Sequence, residues 1–139
     1  MTPPVACVHY RVPYADTDQM RVVYYANYLV YFERARNELL RVIGFPYRDI
    51  EARGYALPVL QAQIDYRGAA RYDDDLEIRA WVGWIKPVRL RVDCAVSCGG
   101  VTLAEGHTVH ACVTLATLKP TRVPADIAAC LNAAVGATA

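Results

Sequence analysis

The amino-acid sequence predicts an α+β domain in which an antiparallel sheet wraps around one long helix. Residues 27–43 show the three- and four-residue spacing of apolar side chains that is typical of an amphipathic helix. Residues 75–84 and 88–96 alternate between apolar and polar side chains, as antiparallel strands with one buried face do. Because one helix cannot cover both faces of such a sheet, we expect the chain to complete its burial as a homo-oligomer.

The first half of the chain begins with a strand, predicted over residues 5–14 because β-branched and aromatic side chains are frequent there. A short polar segment leads into the long helix, for which Asn27 is a suitable N-cap. Gly44 and Pro46 then stop the helix. Its apolar stripe is predicted to consist of Leu29, Phe32, Ala35, Leu39 and Val42.

The second half is mostly strand, and Cys98-Gly99-Gly100 has the composition of a tight hairpin turn. Pro58 is expected to bend or begin the strand in which it lies. The remaining elements are predicted, in chain order, as a helical turn at 47–53, strands at 55–66, 75–84, 88–96 and 101–117, and a helix at 124–135.

Size and composition predict one domain over residues 1–139, with a core at about 5–123 and a helical tail at 124–139. A formal net charge of +1 argues against a nucleic-acid-binding protein. No apolar run approaches the ~20 residues that span a bilayer, so we expect no membrane contact. Residues 1–10 lack the basic and apolar regions of a secretory signal, which favours a cytoplasmic protein.

Cysteine and histidine spacing predicts free thiols and no metal site. The five cysteines form no CxxC pair, unlike a zinc ribbon or a disulfide scaffold. His107 and His110 lie an odd number of positions apart on a predicted strand, so they point to opposite faces and cannot chelate one ion. The cysteines are Cys7, Cys94, Cys98, Cys112 and Cys130.

Several catalytic classes are excluded by their missing motifs. The sequence contains no GxSxG elbow, no glycine-rich phosphate loop and no HExxH. What remains is Asp16-Thr17-Asp18, just before the N-terminus of the long helix. Asp and Thr there could simply cap the helix and form a turn. Alternatively, one aspartate attacks an acyl group or deprotonates a water, while nearby N–H groups bind the developing oxyanion. Composition and periodicity do not choose between these roles.

Three segments together resemble the hotdog-fold acyl-CoA thioesterases, in particular the 4-hydroxybenzoyl-CoA thioesterase group and its Tol–Pal-associated relatives. The most specific segment runs from Tyr14 to Arg36, and the resemblance extends over about residues 10–124. It implies a β-α-β-β-β-β hotdog that assembles as a homodimer or homotetramer with its site between subunits. The segments are YADTD followed by VVYYANYL and YFERAR, then IDYR with ARYDD, and AEGHTVH.

The resemblance implies hydrolysis of a short-chain or aromatic acyl-CoA to the free acid and CoA, with no cofactor other than the CoA of the substrate. By position, Asp18 is the catalytic carboxylate, as nucleophile or general base. The backbone amide of Tyr25 polarises the thioester carbonyl, while Asp16 is structural. An acyl-carrier-protein thioesterase and a non-catalytic acyl-binding hotdog protein are the alternatives. Substrate contacts are expected from Arg21, Val23, Tyr24, Asn27, Lys86 and Arg89, the last two with CoA phosphates.

Two positions depart from the family pattern. Arg21 stands where many relatives have glycine, which places a bulky cation beside the expected acyl pocket. Tyr25 stands where the Tol–Pal-type members have histidine. A backbone N–H at position 25 keeps the proposed chemistry, since the aryl-CoA members use the amide there, but the change weakens the case for a Tol–Pal-type activity.

Overall fold

The computed structural model of the protein describes residues 5–136. An antiparallel sheet with the strand order β1-β4-β5-β6-β3 packs against α1, and β2 and β7 form a separate two-stranded sheet. The predicted α+β architecture is therefore confirmed. The elements are β1 (Ala6–Arg11), a 3-10 turn (Tyr14–Asp16), α1 (Asn27–Val42), α2 (Tyr47–Ala52), β2 (Tyr55–Ala56), β3 (Val59–Tyr66), β4 (Asp75–Ile85), β5 (Arg89–Cys98), β6 (Val101–Ala111), β7 (Val113–Thr114) and α3 (Ala125–Ala134).

Two of the predicted strands, those over 55–66 and 101–117, are each divided into a longer and a shorter strand. The strand predicted over 55–66 breaks at Leu57-Pro58 into β2 and β3, because proline has no N–H to give to a sheet. The strand predicted over 101–117 is likewise divided into β6 and β7. The β5–β6 hairpin is confirmed, since Gly99 and Gly100 adopt the positive φ values of 56° and 82° that a primed turn needs.

Helix α1 buries a different stripe from the predicted one. Leu29 and Val42 are 41% and 50% exposed, so their assignment to the core was wrong. Two tyrosines take part in the stripe instead, because their hydroxyls find partners in the loops beneath the helix. The buried residues of α1 are Tyr28, Tyr31, Phe32, Ala35, Leu39 and Leu40.

The N-cap assignment of Asn27 was also wrong. Ala26 occupies the cap position without a side-chain cap hydrogen bond, and Asn27 is the first helical residue. At the other end of the chain, α3 lies within the predicted helical tail, of which residues 137–139 are outside the described range, as are residues 1–4 of the N-terminal segment. Among residues 5–136, no helix has the length and apolar character needed to cross a membrane.

Candidate active site

Residues 12–26, here called the β1–α1 loop, are fixed at both ends by backbone hydrogen bonds. The Val12 N–H donates to the Asp74 carbonyl at 2.9 Å, and the Val23 N–H donates to the Ala70 carbonyl at 2.8 Å. An antiparallel bridge joins Thr17 to Val23 within the loop. The two aspartates of the loop are therefore held in place relative to the sheet and to the N-terminus of α1.

One oxygen of the Asp16 carboxylate holds the loop to the strand and helix on either side of it. This oxygen, Oδ2, accepts hydrogen bonds from the Tyr10 hydroxyl at 2.8 Å and the Tyr31 hydroxyl at 2.7 Å. Burial, and then Asp16 itself, raise the pKa of both tyrosines, which keeps their protons available for these bonds. The Asp16 carbonyl also accepts from Asn27 Nδ2 at 3.0 Å. This geometry fits the structural role expected for Asp16 and gives Asn27 its place at the start of the helix.

The Asp18 carboxylate is only half engaged. Its Oδ1 accepts a hydrogen bond from the Met20 N–H at 2.8 Å, which orients the side chain in a local turn. Within residues 5–136, Oδ2 has no hydrogen-bond donor. The side chain is half-buried, so this oxygen is open to an incoming group. Each aspartate has one oxygen without a donor, but Asp16 is anchored to two tyrosines of other elements, whereas Asp18 is held only by its own turn.

Arg21 completes the turn that presents Asp18. Its N–H donates to the Asp18 carbonyl at 2.9 Å, and its φ of 64° lies in the left-handed region that favours glycine. The glycine of many relatives at this position is thus explained by the backbone conformation. The Arg21 side chain is exposed, three residues after Asp18.

The Tyr25 amide is a free donor at the helix N-terminus. The neighbouring Tyr24 N–H donates to the Asp16 carbonyl at 2.9 Å, and the Asn27 N–H donates to the Tyr24 carbonyl at 2.9 Å. The Tyr25 N–H has no acceptor in the part of the chain that the structure describes. It stands where a 16-residue helix concentrates partial positive charge, so it can bind a developing negative charge on an acyl oxygen.

Aromatic side chains surround this donor. Tyr25 is 62% exposed, and its ring centroid is 4.8 Å from that of Tyr24. A hydrogen bond to the Tyr25 hydroxyl, and more weakly the charge of Asp18, raise the pKa of Tyr24. The Tyr66 hydroxyl of β3 donates to the Tyr25 carbonyl at 2.9 Å, which ties the helix N-terminus to the edge of the sheet. The tie from Tyr66 joins residues 41 positions apart, and sequence reasoning missed it.

The expected substrate contact from Val23 is not supported. Its side chain is 4% exposed and packs in the core, because its backbone pairs with the segment before β4. Tyr24 and Arg21, in contrast, have exposed side chains, and Tyr24 lies close enough to Asp18 to sense its charge.

Lys86 and Arg89 do not come together with Asp18 within one chain. Strand β4 begins at Asp75, which pairs with Arg11 next to the β1–α1 loop, and ends at Ile85. Eleven residues of strand separate the two ends by about 35 Å. Lys86 Nζ lies 4.7 Å from the centroid of the Trp84 ring, at the end of the sheet opposite to the loop.

One group of side chains could approach a metal ion. Cys7, His9 and Glu77 offer ligand atoms that lie within 4.8 Å of one another on the outer face of β1 and β4. Sequence reasoning considered the histidines alone and missed this group, although alternate positions on β1 share one face. The Arg79 guanidinium already pairs with Glu77 at 2.9 Å and competes with a cation there.

Comparisons with known proteins identify the family of the chain. Residues 12–131 match the family model of the thioesterase-like superfamily. The acyl-CoA thioesterase YbgC of Haemophilus influenzae is 35% identical over 123 residues, which cover 88% of this chain and 90% of that protein.

Solved structures share the whole fold. The hypothetical protein TT1821 from Thermus thermophilus has a TM-score of 0.88 at 36% identity, over 91% of this chain and 97% of its own. The DHNA-CoA thioesterase from Staphylococcus aureus has a TM-score of 0.88 at 26% identity, over 92% and 89%.

Proposed function

The chain belongs to the thioesterase-like superfamily and is an acyl-CoA thioester hydrolase of the hotdog fold, and we propose that Asp18 and the Tyr25 amide carry out its reaction on a short-chain or aromatic acyl group. The observation that carries this proposal is the contrast between the two aspartates. Asp16 is anchored by two tyrosine hydroxyls from β1 and α1, whereas Asp18 is held by a single backbone N–H of its own turn.

The reaction follows from these two groups. The free Asp18 oxygen attacks the thioester carbonyl carbon, or it takes a proton from a water that attacks. In both cases the carbonyl oxygen gains negative charge, which the Tyr25 N–H stabilises by donating a hydrogen bond. The C–S bond then breaks and CoA leaves as its thiolate. When Asp18 is the nucleophile, water hydrolyses the acyl-aspartyl anhydride; by either route the products are one carboxylic acid and one CoA thiol.

An aromatic or short acyl group suits the surroundings of Asp18. The exposed rings of Tyr24 and Tyr25 flank the free amide and offer flat apolar surfaces. A relative of the same fold, from Staphylococcus aureus, is named for an aromatic acyl-CoA. An acyl-carrier-protein thioester remains the alternative substrate, because it presents the same bond on a different handle.

We further propose that the site is completed by a second copy of the chain. Strand β3 forms one edge of the sheet, and seven of its eight residues are exposed. An eight-residue edge with free N–H and C=O groups is suited to pairing with another strand. Because Tyr66 ties this edge to Tyr25, a second copy paired along β3 would cover the catalytic groups.

Such pairing also gives a role to the expected CoA contacts. In an antiparallel arrangement, the second copy directs its own β4–β5 turn toward the N-terminus of α1. Residues equivalent to Lys86 and Arg89 from that copy are then candidates for the CoA phosphates. Sedimentation equilibrium tests this arrangement: a dimer or a tetramer is expected, and a monomer at assay concentration would contradict it.

The test of the reaction is thiol release from short, long and aromatic acyl-CoAs by the native protein and by Asp18→Asn. We expect hydrolysis of at least one short or aromatic substrate, with kcat/KM reduced by about 100-fold or more in Asp18→Asn. Asp49→Asn, on the exposed surface of α2, is the matched control and should keep full activity. A native enzyme-only blank corrects for the five cysteines.

Two results would contradict the assignment. Equal turnover in the native protein and Asp18→Asn would remove Asp18 from the mechanism. Hydrolysis of acyl-carrier-protein thioesters alone would leave the catalytic groups in place and replace the CoA handle.

A further inference from the structure

A cavity of about 550 Å³ lies between the second half of α1, helix α2 and the floor of the sheet. Arg36 enters it from α1, and His110 of β6 lies on its floor. Arg36 is nine residues beyond Asn27, or about 13 Å along the helix axis, so the cavity is separate from the β1–α1 loop of the same chain. Its apolar walls include Leu57, Leu90 and Val92.

Arg36 is a mostly buried cation that forms no ion pair with any residue of 5–136. Burial lowers the pKa of its guanidinium, although the group stays charged. Within residues 5–136, no carboxylate lies within 4.0 Å of it. Its one protein hydrogen bond is long, from Nη1 to Thr108 Oγ1 at 3.5 Å. Because a desolvated charge is costly unless it is paired, most of the donors of this guanidinium are left to face the cavity.

The hydrogen bonds around His110 fix how Arg36 is held. His110 Nδ1 lies 2.8 Å from the Leu57 carbonyl, which only accepts, so this nitrogen carries the proton. His110 Nε2 therefore accepts from the Thr108 hydroxyl at 2.8 Å. The Thr108 oxygen is then left as an acceptor for Arg36. His110 is neutral, because burial and the charge of Arg36 lower its pKa to about 4, and it adds no second cation.

The other charged residues of the cavity stand at its rim. All four are exposed, and Arg41 is already paired with Glu38 at 3.1 Å. The charge of Glu33 acts on Arg36 from the rim and partly offsets the effect of burial on its pKa, but none of the four forms an ion pair with the guanidinium. These rim residues are Glu33, Arg41, Arg48 and Glu51.

We propose that this cavity is an anion-binding site in which the Arg36 guanidinium binds the carboxylate or phosphate oxygens of a small ligand. The planar fork of arginine matches two oxygens of such a group, and a water-poor surrounding strengthens the interaction. The apolar walls accept the body of the ligand, as in most small-molecule sites. The inference does not rest on the reaction at Asp18.

Imidazole signals in NMR spectra provide a local test. Benzoate, inorganic phosphate and CoA are titrated separately, and at least one is expected to shift the His110 signals in a saturable way. His9 and His107 serve as internal controls, because His9 lies on the exposed edge strand and His107 on the outer face of the sheet. Response to benzoate alone identifies a carboxylate ligand, whereas response to phosphate or CoA identifies a phosphate.

Variants of Arg36 decide whether the guanidinium is responsible. Arg36→Met should weaken the binding of the responding probe by at least about 10-fold, and Arg36→Lys, which keeps the charge without the fork, by about 3- to 10-fold. Arg34→Met removes an exposed guanidinium from the same helix, outside the cavity, and should change the affinity by less than about threefold. Amide spectra verify folding, and Arg36→Lys decides the question if Arg36→Met does not fold. Absence of a saturable His110 shift with all three probes, or native affinity in the Arg36 variants, would overturn the proposal.

Discussion

The charged groups at the two ends of α1 have opposite surroundings. At the N-terminal end, the carboxylates of Asp16 and Asp18 lie near the surface and are held by hydroxyl and backbone N–H donors. In the second half of the helix, Arg36 and His110 are buried around a cavity, and burial shifts the pKa values of both toward the neutral form. Charge is thus stabilised by donors at one end and disfavoured by desolvation at the other.

This difference predicts which changes will affect each end of the helix. At the N-terminal end, removing a carboxylate changes either the chemistry or the anchoring of the loop, depending on which aspartate is removed. Around the cavity, stability should depend on pH and on bound ligands. A buried ionisable group is stabilised most when it finds a partner or loses its charge.

Removal of the Asp16 carboxylate should have the largest effect on stability. Asp16→Ala deprives Tyr10 and Tyr31 of their shared acceptor, so we expect the free energy of unfolding in urea to fall by about 2–4 kcal/mol. Asp18→Asn should change it by less than about 1 kcal/mol, since that side chain has one exposed hydrogen bond. Equal losses in the two variants would erase the distinction between a structural and a free aspartate.

A smaller effect is expected from pH at the opposite end. The pKa of His110 is about 4 in the folded protein against an ordinary 6.5, so between these values the unfolded chain binds more protons. Stability is therefore full above pH 6.5 and decreases as the pH falls toward 4. Between pH 7 and pH 5 this residue should cost about 2 kcal/mol.

Urea unfolding at the two pH values checks the contribution of His110. The loss between pH 7 and pH 5 should shrink by about 2 kcal/mol in His110→Asn and remain in His9→Asn. An unchanged loss in His110→Asn would contradict the buried, neutral imidazole.

The smallest effect belongs to Arg21, at the edge of the N-terminal region. Arg21→Gly removes the cost of a left-handed backbone from a residue at φ 64°, while glycine loses more entropy on folding. We expect the unfolding free energy to rise by no more than about 1 kcal/mol. Turnover of the best substrate should stay within about threefold, and a larger loss of kcat/KM would show that the guanidinium contacts the substrate.

Sequence periodicity was sufficient to predict the helices and strands, but not the side-chain contacts between them. The alternation in residues 75–84 and 88–96 gave β4 and β5, and the helical spacing gave α1. The same spacing favoured Leu29 and Val42 over Tyr28 and Tyr31 for the core, since tyrosine is less apolar than leucine. The Tyr31 hydroxyl donates to Asp16, and the hydroxyl of Tyr28 accepts from the Ala70 N–H. Both partners lie outside the helix, so the helical spacing alone does not show them.

The candidate site was likewise predicted only in part. The resemblance pointed to Asp18 and Tyr25, and the structure adds why position 21 favours glycine and how Asp16 is anchored by two tyrosines. No local pattern could have found the cavity, because Arg36 and Thr108 are 72 positions apart and meet only when α1 lies on the sheet.

The most direct test of the central claim is the NMR signal of the Tyr25 amide during titration with a ketone analogue of an acyl-CoA, in which a methylene group replaces the thioester sulfur. The analogue keeps the carbonyl oxygen that the amide is proposed to bind. We expect the Tyr25 amide proton to move downfield to saturation, while the Tyr24 amide, already bound to Asp16, moves much less. Saturable binding of the analogue that leaves the Tyr25 amide unmoved would contradict a catalytic site built at the N-terminus of α1.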